Sequence, residues 1–204
     1  MFVQVIQGQV IDAGQAHAAM ERWMEELAPE AFGWLGTTAG VTADGRFIAQ
    51  ARFESADSAR RNSESPAQDK WWHEFSSLLT GDAGFRDTED VSLGLIGDPD
   101  TAGFVQILRG RATDPDRVRT LMSNDLSAWA SFRPDLIGTV LSLFDDGAFS
   151  SAIYFTSEIE AREAERLEPP AELKATVDEL NTLDAEPPEF FDLDAPWLYS
   201  PTST

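Results

Sequence analysis

The sequence predicts an α+β protein made of two tandem βαββαβ repeats, each an antiparallel sheet with its helices on one face. Three observations predict it. The chain repeats itself in one unbroken register; each copy alternates strand-like and helix-like hydrophobic spacing in the same order; and each carries a tight-turn signal, "ADG" or "DDG", between its second and third strands.

The register lays "FVQVIQG" from Phe2 on "FVQILRG" from Phe104 and holds without a gap through Ser55 on Ser157. Gly8, Asp12, Met20, Gly36, Thr37, Gly45, Phe47 and Phe53 recur as Gly110, Asp114, Met122, Gly138, Thr139, Gly147, Phe149 and Phe155. After a small slip "SPAQDK" meets "PPAELK", and the ends "FRDTEDVSLGL" and "FFDLDAPWLYS" correspond loosely. Residues 1–97 are thus repeat 1, 98–103 a linker rich in Gly, Pro and Asp, and 104–204 repeat 2.

Residues 2–9 alternate and are rich in Val and Ile, which predicts a strand. A helix follows over about 14–28: Ala16, Ala19, Met20, Trp23, Met24 and Leu27 form one stripe, and Pro29 closes it. Two strands, 34–42 and 46–54, flank "ADG". A second helical region, broken near Pro66, covers 56–79, and a last strand covers 90–96. This order is the ferredoxin-like one, a four-stranded antiparallel sheet with both helices on one face. The open face of each sheet needs cover, so the two sheets are expected to pack face to face. The acidic run "EIEAREAERLE" reads as a solvated helix.

The 204 residues carry 36 acidic and 15 basic side chains, a formal charge of −21 that repels phosphate backbones and anionic lipid. Nucleic-acid and membrane partners are therefore not expected. With no cysteine, disulfides, thiolate metal sites and cysteine nucleophiles are excluded. No HExxH pair points to zinc, and no GxGxxG, phosphate loop or GxSxG elbow occurs. The N-terminus lacks a basic segment and a cleavage signal. A cytoplasmic protein is expected, either monomeric with its two repeats as a pseudo-dimer or assembled further as a homodimer.

The element order, together with "FIAQARFESADSARRNSESPAQDKWWHEF", resembles the dimeric α/β-barrel superfamily and its antibiotic biosynthesis monooxygenase-like branch. The resemblance covers most of each repeat and implies an intrachain barrel, with a substrate or haem pocket between sheet and helices. Typical contributors there are a polar residue late in the first strand and a Trp or Asn on the second helical region. By position these are Gln7 in repeat 1, Arg109 in repeat 2, and Asn62. Trp72 fits the place of a haem-binding histidine better than His73 does, which argues against haem; no cofactor is expected.

The residues themselves leave alternatives open. In "KWWHEFSSLL", Trp71, Trp72, Phe75, Leu78 and Leu79 share one helix side while His73 points away. Trp71 fits core packing; Trp72, at the rim, fits either packing or a cavity wall. Trp34 is Leu136 in repeat 2, so repeat 1 is the aromatic half and the expected binder of a flat, apolar ligand. In repeat 2, Asp125 interrupts the apolar stripe Val118, Leu121, Met122, Leu126, Trp129 where repeat 1 has Trp23. A carboxylate there needs a partner, for which Arg109 is the candidate and Tyr154 an adjunct. A structural ion pair and a ligand contact both fit. Substrate-binding candidates are thus Gln7, Trp34, Asn62 and Trp72, with Arg109, Asp125 and Tyr154 in the second repeat, and no catalytic residue is assigned. The functional expectation is a small-molecule pocket, as a cofactor-independent monooxygenase of flat aromatic or polyketide-like compounds. The alternatives are a non-catalytic ligand-binding or stress-related protein, and a self-associating protein with a filled core.

Overall fold

The computed structural model describes residues 1–122 and 126–201. The chain forms two compact units, one of Met1–Glu89 with the segment from Pro196, the other of Asp90–Ala195. In chain order, repeat 1 supplies β1 (Phe2–Gln9), α1 (Ala13–Glu26), β2 (Trp34–Val41), β3 (Arg46–Phe53), α2 (Ala56–Ser63), α3 (Pro66–Ser76), β4 (Gly84–Thr88) and β5 (Asp90–Leu95). Repeat 2 supplies β6 (Phe104–Arg111), α4 (Pro115–Met122), α5 (Ser127–Phe132), β7 (Leu136–Leu143), β8 (Ala148–Phe155), α6 (Glu158–Ala164), α7 (Ala171–Leu183), β9 (Glu189–Leu193) and β10 (Trp197–Tyr199).

Local chemistry starts these helices, whereas α1 ends at Glu26 with Leu27 as its C-cap, before the 3-10 turn Ala28–Glu30 that holds Pro29, the residue expected to close it. Asp12 caps α1 by accepting from Gln15 N–H, Ser55 caps α2 by accepting from Ser58 N–H, and Ser65 caps α3 with Pro66 in its first turn. Gly45 and Gly147 take φ of 84° and 80° in the two hairpins, a conformation open to glycine. The break near Pro66 separates α2 from α3.

Each unit holds the ferredoxin-like strand order with one strand more than expected. The sheets run β10-β2-β3-β1-β4 and β5-β7-β8-β6-β9. Both are antiparallel and open, ending in edge strands, so neither closes into a barrel on its own. The expected fourth strand at 90–96 is the main correction. The fourth strand of repeat 1 is β4, paired with β1, whereas β5 pairs with β7 from Asp90↔Leu143 to Leu95↔Gly138. Reciprocally, β10 of repeat 2 joins the unit 1 sheet on β2, from Trp197↔Ala39 to Tyr199↔Thr37. Only Glu89 separates β4 from β5, and spacing that marks a strand does not name its hydrogen-bonding partner.

The helix-facing sides of the sheets carry apolar cores. In unit 1, Met20, Phe47, Phe75 and Leu79 form one cluster, which Trp197 of β10 joins, and Phe2, Trp23, Trp34 and Phe53 form another. In unit 2, Phe104, Leu136 and Phe155 pack with Ala161 of α6, and Val118, Leu141 and Leu143 pack with Leu180 and Leu183 of α7. Among the described residues no helix is long and apolar enough to cross a membrane.

Candidate functional site

Both units have a cavity at the same place, between the helices and the sheet, lined by residues that correspond in the repeat. Met20, Trp34, Thr37, Ala51 and Phe53 line it in unit 1; Met122, Leu136, Thr139, Ile153 and Phe155 line it in unit 2. The volumes differ: about 90 Å³ in unit 1 against about 210 Å³ in unit 2.

Tryptophan packing explains the smaller one. Trp23 meets Trp34 edge-on with ring centroids 5.0 Å apart, and Trp71 stacks on Phe75 at 5.1 Å. Each indole N–H is tied down: Trp23 donates to Gln68 Oε1 at 2.7 Å, Trp34 to Thr37 Oγ1 at 3.0 Å, and Trp71 to the Ala19 carbonyl at 2.9 Å. Repeat 2 replaces Trp34 with Leu136, and has Ala175 and Thr176 where repeat 1 has Trp71 and Trp72. Its interior is left hollow between Leu121, Leu126, Trp129, Val177 and Leu180.

The expected site residues fall in separate places. Trp34 and Asn62 line the small unit 1 cavity. Asn62 spends its amide on the chain before β2, donating to the Phe32 carbonyl at 2.8 Å and the Ser58 carbonyl at 2.9 Å while accepting from Phe32 N–H at 3.1 Å. Trp72 packs on Phe75 and Phe85, with centroids 5.8 and 5.1 Å away, and does not reach that cavity. His73 is exposed.

Gln7 lies on the other side of the sheet, because its neighbour Ile6 is the one packed with Met20 and Phe75. Its side chain lies across Gly84 of β4, and its Oε1 is buried without a hydrogen bond among the described residues. By the same alternation from Phe104, Arg109 and Tyr154 also face away from the helices. Arg109 pairs with Glu189 at 3.5 Å, and Tyr154 is fully buried. Asp125, the expected partner of Arg109, lies outside the described residues.

Arg133 is a cavity-lining residue that sequence reasoning missed. It caps the C-terminus of α5 and lines the unit 2 cavity. Nε donates to Asp135 Oδ1 at 2.9 Å, and Nη2 donates to Asp135 Oδ2 at 2.7 Å and to the Ala161 carbonyl at 3.4 Å. The pair is largely out of water, with 12% and 5% of the two side chains exposed. The signal was present in the repeat register, which sets Arg133 and Asp135 against Ala31 and Gly33.

Solved structures share this architecture. A candidate monooxygenase from Lactobacillus acidophilus NCFM is similar over 98% of this chain and 95% of its own, with a TM-score of 0.76 and 10% identity. One from Fusobacterium nucleatum is similar over 98% and 94%, with a TM-score of 0.74 and 9% identity. An anthrone oxidase-like protein is similar over 99% and 94%, with a TM-score of 0.70 and 11% identity. No family model and no curated protein matches the sequence. At these identities the likeness is one of fold, and that fold is two ferredoxin-like units in one chain.

Proposed function

We propose that the unit 2 cavity binds a flat, apolar, aromatic or polyketide-like compound, and that the protein acts on it as a cofactor-independent monooxygenase. The cavity of about 210 Å³ carries this reading. A dry apolar cavity of roughly 150 Å³ accepts benzene, so this one suits one to two rings. The comparison proteins support the reaction class by fold analogy alone.

Such a reaction needs no external reductant. A ring methylene activated by neighbouring phenol or carbonyl groups loses a proton to water, its carbanion forms a C–O bond with dioxygen, and the peroxide anion so formed takes a proton back. The resulting hydroperoxide loses water and leaves a carbonyl, so the four electrons reaching dioxygen all come from the substrate. The protein's part is to hold the ring in the apolar slot and stabilise the anion.

A second reading, a binder without turnover, is favoured by the lining itself. Arg133, Thr139 and Thr176 are its only polar side chains among the described residues, and none is a general base near neutral pH.

The test pairs binding with turnover. The purified protein is expected to bind naphthalene and to consume oxygen with 2-tetralone, a two-ring ketone that has an activated ring methylene. Leu136→Trp, which installs repeat 1's filling residue, is expected to abolish both while the circular dichroism stays native. Naphthalene binding unchanged by Leu136→Trp overturns the cavity assignment; binding without oxygen uptake leaves the second reading.

A further inference from the structure

Resting on that cavity reading, we infer that Arg133 is the residue that contacts the occupant's polar group, taking a neutral ring carbonyl or phenol oxygen rather than a carboxylate, and that Asp135 holds it in place.

Of the five N–H donors of a guanidinium, the one on Nε and the two on Nη2 go to Asp135 and Ala161. The two on Nη1 make no hydrogen bond among the described residues. The group is held still by the bidentate carboxylate and by the Phe155 ring, whose centroid lies 5.1 Å from the guanidinium carbon. Phe155 and Leu136 line the same cavity as Arg133, so a fixed cation with spare donors belongs to a wall whose other polar groups include the hydroxyls of Thr139 and Thr176.

An oxygen on the occupant is the group that satisfies those donors without water. Asp135 already balances the Arg133 charge, so a carboxylate brought there would meet a second carboxylate a few atoms away. A neutral oxygen meets only the donors. When the substrate ionises, charge moves onto that oxygen beside a cation that need not reorient. Arg133 is thus a substrate-contacting residue, and Asp135 is the positioning residue that fixes it.

The pair belongs to the repeat whose interior is hollow. Repeat 1, with its cavity filled by indoles, has Ala31 and Gly33 at these positions.

The experiment compares tetralin, 1-tetralone and tetralin-1-carboxylate on the intact protein by calorimetry, with the carbonyl stretch of bound tetralone followed by infrared difference spectroscopy. Tetralone is expected to bind about tenfold more tightly than tetralin, with its stretch lowered, and the carboxylate no more tightly than the ketone. Arg133→Gln combined with Asp135→Asn, which removes both charges together, is expected to bring tetralone to the affinity of tetralin and restore the stretch. Equal affinity for tetralin and tetralone, or an unshifted stretch, overturns the Arg133 inference while leaving the cavity reading intact. Carboxylate binding tightest overturns the ligand class. Failure of all three to bind overturns the cavity reading itself. The comparison on the unaltered protein stands even if the double variant does not fold.

Discussion

Replacing Trp34 with leucine, the residue repeat 2 carries in the same register, should open the interior of unit 1 as the interior of unit 2 is open. Trp34 is 5% exposed, touches Trp23 edge-on, and donates to Thr37 Oγ1. The exchange removes roughly 60 Å³ of side chain, which at about 24 cal/mol per Å³ of cavity costs about 1.5 kcal/mol. Lost apolar burial costs a similar amount, about 1.5 kcal/mol, and the hydrogen bond and ring contact each cost about 1 kcal/mol. A loss near 4–5 kcal/mol is therefore expected, a shift of about 2 M in the urea midpoint at a slope of about 2 kcal/mol/M. Added to the existing cavity of about 90 Å³, the space freed approaches the roughly 150 Å³ that takes benzene. Urea unfolding followed by circular dichroism, with benzene titrated into the variant, measures both consequences. A loss below about 1 kcal/mol with no benzene binding would refute the account of tryptophan as the filler that separates the two units.

Two further outcomes follow from the exchanged C-terminal strand. Trp197 is 8% exposed, stacks on His17 at 4.7 Å and joins the Phe47 cluster, while β10 pairs over only three residues. Trp197→Ala should thus cost about 3–5 kcal/mol and release β10, seen as faster amide exchange at Thr37–Ala39 with exchange in β7 unchanged. Burial, and secondarily the charge of Glu21, pushes the Tyr199 phenol up to about 12. Because its folded value lies above the unfolded value near 10, the stabilising contribution is whole below about pH 10 and is lost as pH rises toward 12. Thermal melts over that range, with phenolate absorbance, should show a late tyrosine step and falling stability, both smaller in Tyr199→Phe, which leaves the buried Tyr154 as the remaining phenol.

Element type was legible wherever it depends on local spacing. β1 begins and ends where the alternation does, Asp12 and Ser55 cap the predicted helices, and Gly45 and Gly147 turn the predicted hairpins. Strand partnership was not legible. "FRDTEDVSLGL" reads as one strand region, yet its halves bond to different sheets, because which edge is vacant depends on residues far along the chain. The same holds for strand faces: Gln7 and Arg109 share a register position late in the first strand, but which side that position faces follows from how Ile6 and Phe104 meet their helices.

The contrast between the repeats was visible in the sequence, and under the proposed function its physical sense is the opposite of the one expected. An aromatic-rich repeat suggests a ring-binding wall, yet an indole lines a cavity only where facing side chains leave room for a guest. Trp23, Trp34, Trp71 and Phe75 face one another across the helix–sheet gap, and each indole N–H already has a partner within the protein. These rings act as one another's guests. In repeat 2, Leu136, Ala175 and Thr176 leave that volume open, and Trp129 remains as an aromatic wall. Arg133 with Asp135 then adds a polar contact absent from its twin. The contrast holds at this one fold position, since unit 1 has a separate, more polar cavity of about 270 Å³ beside Leu27, Phe32 and Arg61; at the shared position unit 2 gives up stability for its cavity, as each empty Å³ there costs roughly 24 cal/mol relative to its filled counterpart. Unit 2 should accordingly be the unit that a bound ring stabilises most, with protection from amide exchange appearing first along β7 and β8.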